Sequence, residues 1–289
     1  MKYTKKQFES LLNEQDSDPG IKGVTSVAKY AAEEEKIEKP VDLSAKKKGI
    51  IPDHVSILGL GPSLSEYTNI TRRLGNRHRF SDETWVINAL GSIIQCDRIF
   101  HMDDVRIQEI RAESQPESNI AAMLEWMKTT DIPIITSRPH PDYKALEPFP
   151  LIEVLNKFDT GYFNSTAAYA VAYAIWLGVK KISLFGVDFT YPDAHDAEKG
   201  RACVEYWLGM ASERGIRLSI PKTSTLLDAL HTQRERFYGY DTLDLDITQN
   251  EAGIINVKFT EREDIPTAED VEDSYNHNKH PNALVSQNV

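Results

Sequence analysis

Residues 55–64, Val-Ser-Ile-Leu-Gly-Leu-Gly-Pro-Ser-Leu, constrain the fold of this chain most tightly, because an apolar run meets a glycine-rich turn and then an amphipathic stretch. That order reads as a strand feeding a helix, the opening unit of a parallel α/β sheet. Gly59 and Gly61 admit backbone angles closed to other residues, and Pro62 suits a first helical turn. The unpaired amides of a helix start also attract anions. Two readings stay open here: a turn that holds phosphate, or a tight strand-to-helix turn that needs glycine for packing alone. The segment is not the dinucleotide fingerprint, since it lacks the third glycine of GxGxxG and keeps a hydroxyl, Ser63, at the turn.

Beyond this turn, short apolar runs alternate with amphipathic stretches. Strands are expected at Val55–Leu58, Thr84–Ile87, Arg98–Met102, Pro133–Thr136, Lys181–Phe185 and Arg217–Ile220. Leu64, Tyr67, Ile70 and Leu74 form one helical stripe, and Val204, Trp207, Leu208 and Ala211 form another at i, i+3, i+4, i+7. The fold class that follows is α/β: a Rossmann-like, doubly wound, mostly parallel sheet flanked by helices, with mobile N- and C-terminal arms. Residues 1–50 read as a charged arm, partly helical near Lys5–Asn13 or disordered, 51–240 as the Rossmann-like domain, and 241–289 as an acidic, mostly disordered tail holding one strand.

The chain has 289 residues, 40% of them hydrophobic, enough for a buried core. Its net charge is −11, and the segment from Asp241 onward carries eleven Asp or Glu against three Lys or Arg, or −8. The acidity is mostly a property of the tail, and it disfavours long-range attraction to nucleic acid. The longest apolar run, Thr166–Val179, is too short and too rich in tyrosine to cross a bilayer, so no membrane span is expected. Cys96 and Cys203 stand far apart and outside any CxxC pattern, which suits a reducing cytoplasm better than a disulfide framework.

In doubly wound sheets ligands bind beyond the carboxyl ends of the strands. The segments there are Gly59–Ser63, Asn88, Asp103-Asp104, Ser137-Arg138, Gly186–Phe189 and Lys222–Ser224, and they are polar. A second helix carries its own punctuation, with Asn164 or Ser165 as N-cap before Thr166, an alanine-rich body, and Gly178 as terminator. Its start is either a plain cap or a second anion-friendly end.

The GxGPSL turn, Asn88 after the second strand, the Asn164-Ser165-Thr166 helix opening and the segment LGVKKISLFGVDFTY together resemble the bacterial sialyltransferases of glycosyltransferase family 42. They resemble equally the 6-hydroxymethylpterin diphosphokinase-like Rossmann proteins. The likeness spans roughly residues 54–228. The sialyltransferase resemblance implies a catalytic, nucleotide-binding domain in which Gly59, Gly61, Pro62, Ser63 and Asn88 hold the nucleotide of a CMP- or UDP-linked sugar donor. Asn164, Ser165, Thr166 and Gly186 match further parts of that pattern. Leu60 replaces the usual polar Asn of the first loop, removing one donor group.

Transfer to an acceptor hydroxyl requires a base. The candidates are His195, in a polar loop that can instead be simple solvated surface, and Asp188. Asp103 and Asp104 either bind Mg²⁺ with nucleotide phosphates or cap the next helix, expected over Val105–Arg111. Magnesium is implied only by the ATP-dependent diphosphokinase reading, so this pair separates the two enzymes. A third reading is a non-catalytic nucleotide-binding or interaction protein. Trp176, Trp207, Tyr169 and Tyr173 sit at helical spacing and read as core packing.

Overall fold

The computed structural model describes residues 51–190, 193–230, 238–240, 242–250, 254–269 and 272. The helix expected over Lys5–Asn13, the rest of the 1–50 arm and Tyr191 lie outside the described residues. The chain divides between Ala229 and Leu230 into two units.

The first unit is a seven-stranded sheet: β1 (His54–Leu58), β2 (Glu83–Ile87), β3 (Arg98–Phe100), β4 (Ile134–Thr136), β5 (Leu146–Pro148), β6 (Lys181–Phe185) and β7 (Arg217–Ser219). The strand order is β5-β4-β3-β2-β1-β6-β7, and every pairing is parallel. After β5 the chain therefore returns to the far side of β1, which makes the gap between β1 and β6 the switch point of the winding. Strand β1, inside the sheet, is buried on both faces, with Val55, Ile57 and Leu58 fully covered and the buried Ser56 hydroxyl donating to Ser81 Oγ, and this explains its mostly apolar sequence.

The helices lie in two layers. One face carries α1 (Leu64–Leu74), α2 (Val105–Ser114) and α3 (Asn119–Thr129), whose Tyr67, Val105 and Met127 join Leu58, Val86 and Ile99 in one core cluster. The other carries α4 (Leu151–Phe158), α5 (Thr166–Leu177) and α6 (Ala194–Glu213), packed around Val55, Trp85 and Ile182. Ala167, Ala168, Ala170, Ala172 and Ala174 of α5 are all buried, and their small side chains let the helix lie close across β1, β2 and β3. Tyr173 then packs edge-to-face on Trp85 and Phe100 at 5.7 and 5.5 Å. The side chain of Trp207 is fully buried, stacked on Phe163 at 5.1 Å with Nε1 donating to the Tyr162 carbonyl.

The six expected strands are present, Lys181–Phe185 with its expected bounds and the others with one end moved by a residue or two, and β5 is an addition. It is a three-residue edge strand ending in Pro148, a residue tolerated at a sheet edge because it has no ladder N–H to give.

In the second unit, β8 (Leu243–Gln249) and β9 (Ile255–Glu261) form an antiparallel ribbon in which Leu245 faces Phe259 and Ile247 faces Val257. A single strand was expected within 241–289. The alternation Leu243, Leu245, Ile247 is a period-two pattern that pairs with the apolar positions of β9. No described helix is long and apolar enough to cross a membrane.

Candidate functional site

All sheet strands run parallel, so their exits share one rim, together with the starts of α1, α5 and α6. At the switch point the β1 and β6 exits are fastened to each other. Gly59 N donates to Phe185 O at 2.8 Å, and Gly61 N donates to Gly186 O at 2.7 Å. Ser63 N and Ser63 Oγ donate to the two carboxylate oxygens of Asp188 at 2.8 and 2.6 Å, while Gly186 N donates to Ser63 Oγ at 2.7 Å. The backbone carbonyl of Asp188 accepts from Thr225 Oγ1. Ser63 and Asp188 are both buried.

The glycines are required by this contact. A Cβ on Gly59 would meet the Gly186 carbonyl, and one on Gly61 would stand 2.6 Å from Asp188 Oδ2. Gly186 has φ +68°, and its Cβ would meet the Gly59 carbonyl.

The amides expected to cradle phosphate are therefore engaged within the protein. Gly61 N and Ser63 N are taken as above, Pro62 has none, and the amides of Leu64, Ser65 and Glu66 bond to Gly61, Pro62 and Ser63 carbonyls. The Asp188 carboxylate occupies the anion position at the start of α1. The same geometry removes Asp188 as a free base, because both of its oxygens are occupied by Ser63.

Asn88 follows β2 directly with φ 53°, a left-handed conformation that Asn adopts more readily than most residues. Its Oδ1 lies 3.2 Å from Nδ1 of His101, the residue after β3, and His101 is 1% exposed. Burial lowers the His101 pKa, and Asp103 acts in the opposite direction. The ring is therefore neutral at pH 7. His101 Nε2 and Thr136 Oγ1 are buried without a hydrogen-bond partner.

Ser165 caps α5, its Oγ accepting from Ala168 N at 3.3 Å, while Asn164 is exposed with its amide on Cys203 Sγ at 3.3 Å. Thr166 opens the first turn. His195 is exposed on the first turn of α6, where its backbone amide and that of Asp196 donate to Asp193, the N-cap. Phe189, at φ 48°, packs its ring where a Cβ on Gly200 of α6 would stand.

Of the Asp103-Asp104 pair, Asp104 is engaged locally. Asp104 caps α2 through Arg106 N at 3.0 Å and pairs with the Arg106 guanidinium, which holds its carboxyl below the usual range against the opposing effect of burial. Among the described residues no group of three or more His, Cys, Asp or Glu is placed to hold a metal ion.

The structure thus joins Gly59, Gly61, Ser63, Gly186 and Asp188 into one knot and places Asn88, Thr166 and His195 on the same rim. Among the described residues no hydrogen bond links Asn88, Asp103 or Ser165 to that knot. His101, Thr136, Thr225 and Cys203 have no role in the sequence reading; the first three carry the signal of lying at or beside strand and helix ends, while Cys203, in the middle of α6, carries none. A shallow depression bordered by Lys180, Arg214 and Arg217 lies at the opposite end of the sheet, away from this rim.

No protein-family model matches the sequence, and no curated protein matches it. Solved structures do align with it. The sialyltransferase CstII from Campylobacter jejuni, in complex with the substrate analogue CMP-3FNeuAc, is 19% identical with a TM-score of 0.38, over 76% of this chain and 97% of that one. The same enzyme with cytidine-5'-monophosphate gives 19% and 0.35 over 77% and 98%. Monofunctional α-2,3-sialyltransferase Cst-I from Campylobacter jejuni gives 17% and 0.38 over 80% and 95%.

Proposed function

We propose that this chain is a nucleotide-dependent transferase, specifically a glycosyltransferase that moves a sugar from a CMP- or UDP-linked donor to an acceptor hydroxyl. The observation that carries the reading is Asn88, held left-handed at the exit of β2, the neighbour of β1, with its side chain held by a buried histidine. Its Nδ2 group takes no part in that bond and is available to a ligand. The ordered motifs from Gly59 to Thr190, and their likeness to family 42, supply the nucleotide class.

The knot alters how such a site works. With the Gly61 and Ser63 amides engaged, the first turn shapes the floor beneath the ligand, and phosphate falls to the first-turn amides of α5 at Thr166 and Ala167. In the transfer, the acceptor oxygen bonds to the anomeric carbon as the carbon–oxygen bond to the nucleotide phosphate breaks. His195 takes the acceptor proton. The diphosphokinase alternative needs a magnesium site that Asp104, committed to Arg106, does not supply.

Titration calorimetry with CMP and with UDP, in buffer containing EDTA, tests the reading. Saturable binding of either nucleotide supports it. Binding of neither, with ATP and Mg²⁺ binding instead, replaces it with the diphosphokinase.

A further inference from the structure

We propose that His101 is a positioning residue: by donating from Nδ1 to the Asn88 carboxamide oxygen, it makes Asn88 a donor-only group that selects an acceptor oxygen on the ligand. The inference rests on the transferase reading for what the ligand is, and on geometry for what Asn88 can offer it.

The first step is the tautomer. A neutral imidazole carries one N–H, and Asn88 Oδ1, 3.2 Å from Nδ1, can only accept. The hydrogen is therefore on Nδ1, and Nε2 carries the lone pair. The second step is what stands behind the ring. In the β3–β4 register Phe100 pairs with Ile135, so His101 and Thr136 are the next pair, with side chains on the same face. His101 N donates to Ile135 O at 2.8 Å, which keeps this register past the end of the strand. The two unpartnered buried atoms, Nε2 and Thr136 Oγ1, are chemically complementary, one an acceptor and the other a hydroxyl donor.

The third step is the consequence at Asn88. A free carboxamide both donates and accepts, and so reads donor and acceptor edges alike. Here the oxygen is engaged and the backbone is fixed at φ 53°, so only the NH₂ group is left to pair with a ligand. It accommodates a carbonyl or phosphoryl oxygen, and it leaves a ring N–H or exocyclic amino group without a partner. Rejection by unpaired polar groups is the stronger kind of discrimination.

Two measurements on the full chain test this. Long-range ¹H–¹⁵N spectra at pH 7 are expected to show His101 in the Nδ1–H tautomer, with or without nucleotide. The Nε2–H tautomer overturns the inference whatever the protein binds. CMP and UDP affinities are then compared for His101→Asn, which keeps a donor near the Nδ1 position, and for His101→Gln and His101→Leu, which do not. We expect His101→Asn to bind within about threefold of the native chain and the other two to bind roughly tenfold more weakly, the loss of one well-placed hydrogen bond. Equal affinity for all three variants overturns the inference. If His101→Leu fails to fold, the Asn and Gln variants decide it. A native chain that binds neither nucleotide defeats the transferase reading alone, since the tautomer still decides the His101–Asn88 geometry.

Discussion

Ser63 gives both its amide and its hydroxyl to the carboxylate of Asp188, at 2.8 and 2.6 Å, across 125 residues of sequence. This pair closes the switch point of the sheet. It puts an internal anion where a helix start would otherwise attract an external one, and it holds the β6 exit in register with the β1 turn.

Removing either partner is expected to damage folding. Ser63→Ala loses the hydroxyl bonds to Asp188 and Gly186, and Asp188→Ala strands a buried amide and a buried hydroxyl. Each should cost about 2–5 kcal/mol in urea unfolding, while Asp188→Asn, which keeps one acceptor, should cost less. A surface-like change below about 0.5 kcal/mol for Asp188→Ala would contradict the knot.

The fold was readable because its inner strands are buried on both faces and so appear as short, mostly apolar runs, as in Val55–Leu58 and Lys181–Phe185, each interrupted by one buried serine. The edge strand β5 was not, since Leu-Glu-Pro has neither a run nor an alternation to detect. The first turn shows a different limit. Its glycines were legible as a close approach, but sequence offers no way to tell whether phosphate or a carboxylate 125 residues away fills a helix start. Asp104 followed local rules and was legible as a cap, because its partner Arg106 is two residues on.

The Arg77–Asp97 pair gives an acid sensitivity with a defined sign. Burial opposes ionisation of Asp97, but the Arg77 guanidinium and the Thr84 amide outweigh it, so its pKa lies below the ordinary 3.8. A carboxyl lowered in this way contributes stability above its unfolded value and loses it as pH falls through its folded one. Arg77→Met should therefore destabilise by roughly 1–3 kcal/mol at pH 7. Unfolding curves should show that penalty shrinking as pH drops below 3.8. A penalty that stays constant down to pH 2 would argue against the pair.

Cys96 should be chemically quiet. Burial, with Asp97 adding to it, pushes its thiol up to about 11, leaving little thiolate at neutral pH. Iodoacetamide at pH 8 should modify it roughly a hundredfold more slowly in the folded protein than in urea, as followed by peptide mass spectrometry. Equal rates would show that the β3 approach is open.

His195 is the proposed base, and its exposed place on the first turn of α6 predicts a clean separation of effects. His195→Ala should lower turnover by about 10²–10⁴ while leaving nucleotide affinity and melting temperature nearly unchanged. Loss of binding together with turnover would instead make His195 part of the nucleotide site.

The most direct test of the account is donor turnover. Native protein in EDTA is incubated with CMP-linked sialic acid and, separately, with UDP-linked hexoses, and ³¹P NMR follows the free nucleotide. The account predicts catalytic release of CMP or UDP from one donor class without added metal, greatly slowed in Asn88→Ala. No release from any donor, or release that depends wholly on Mg²⁺, would contradict it.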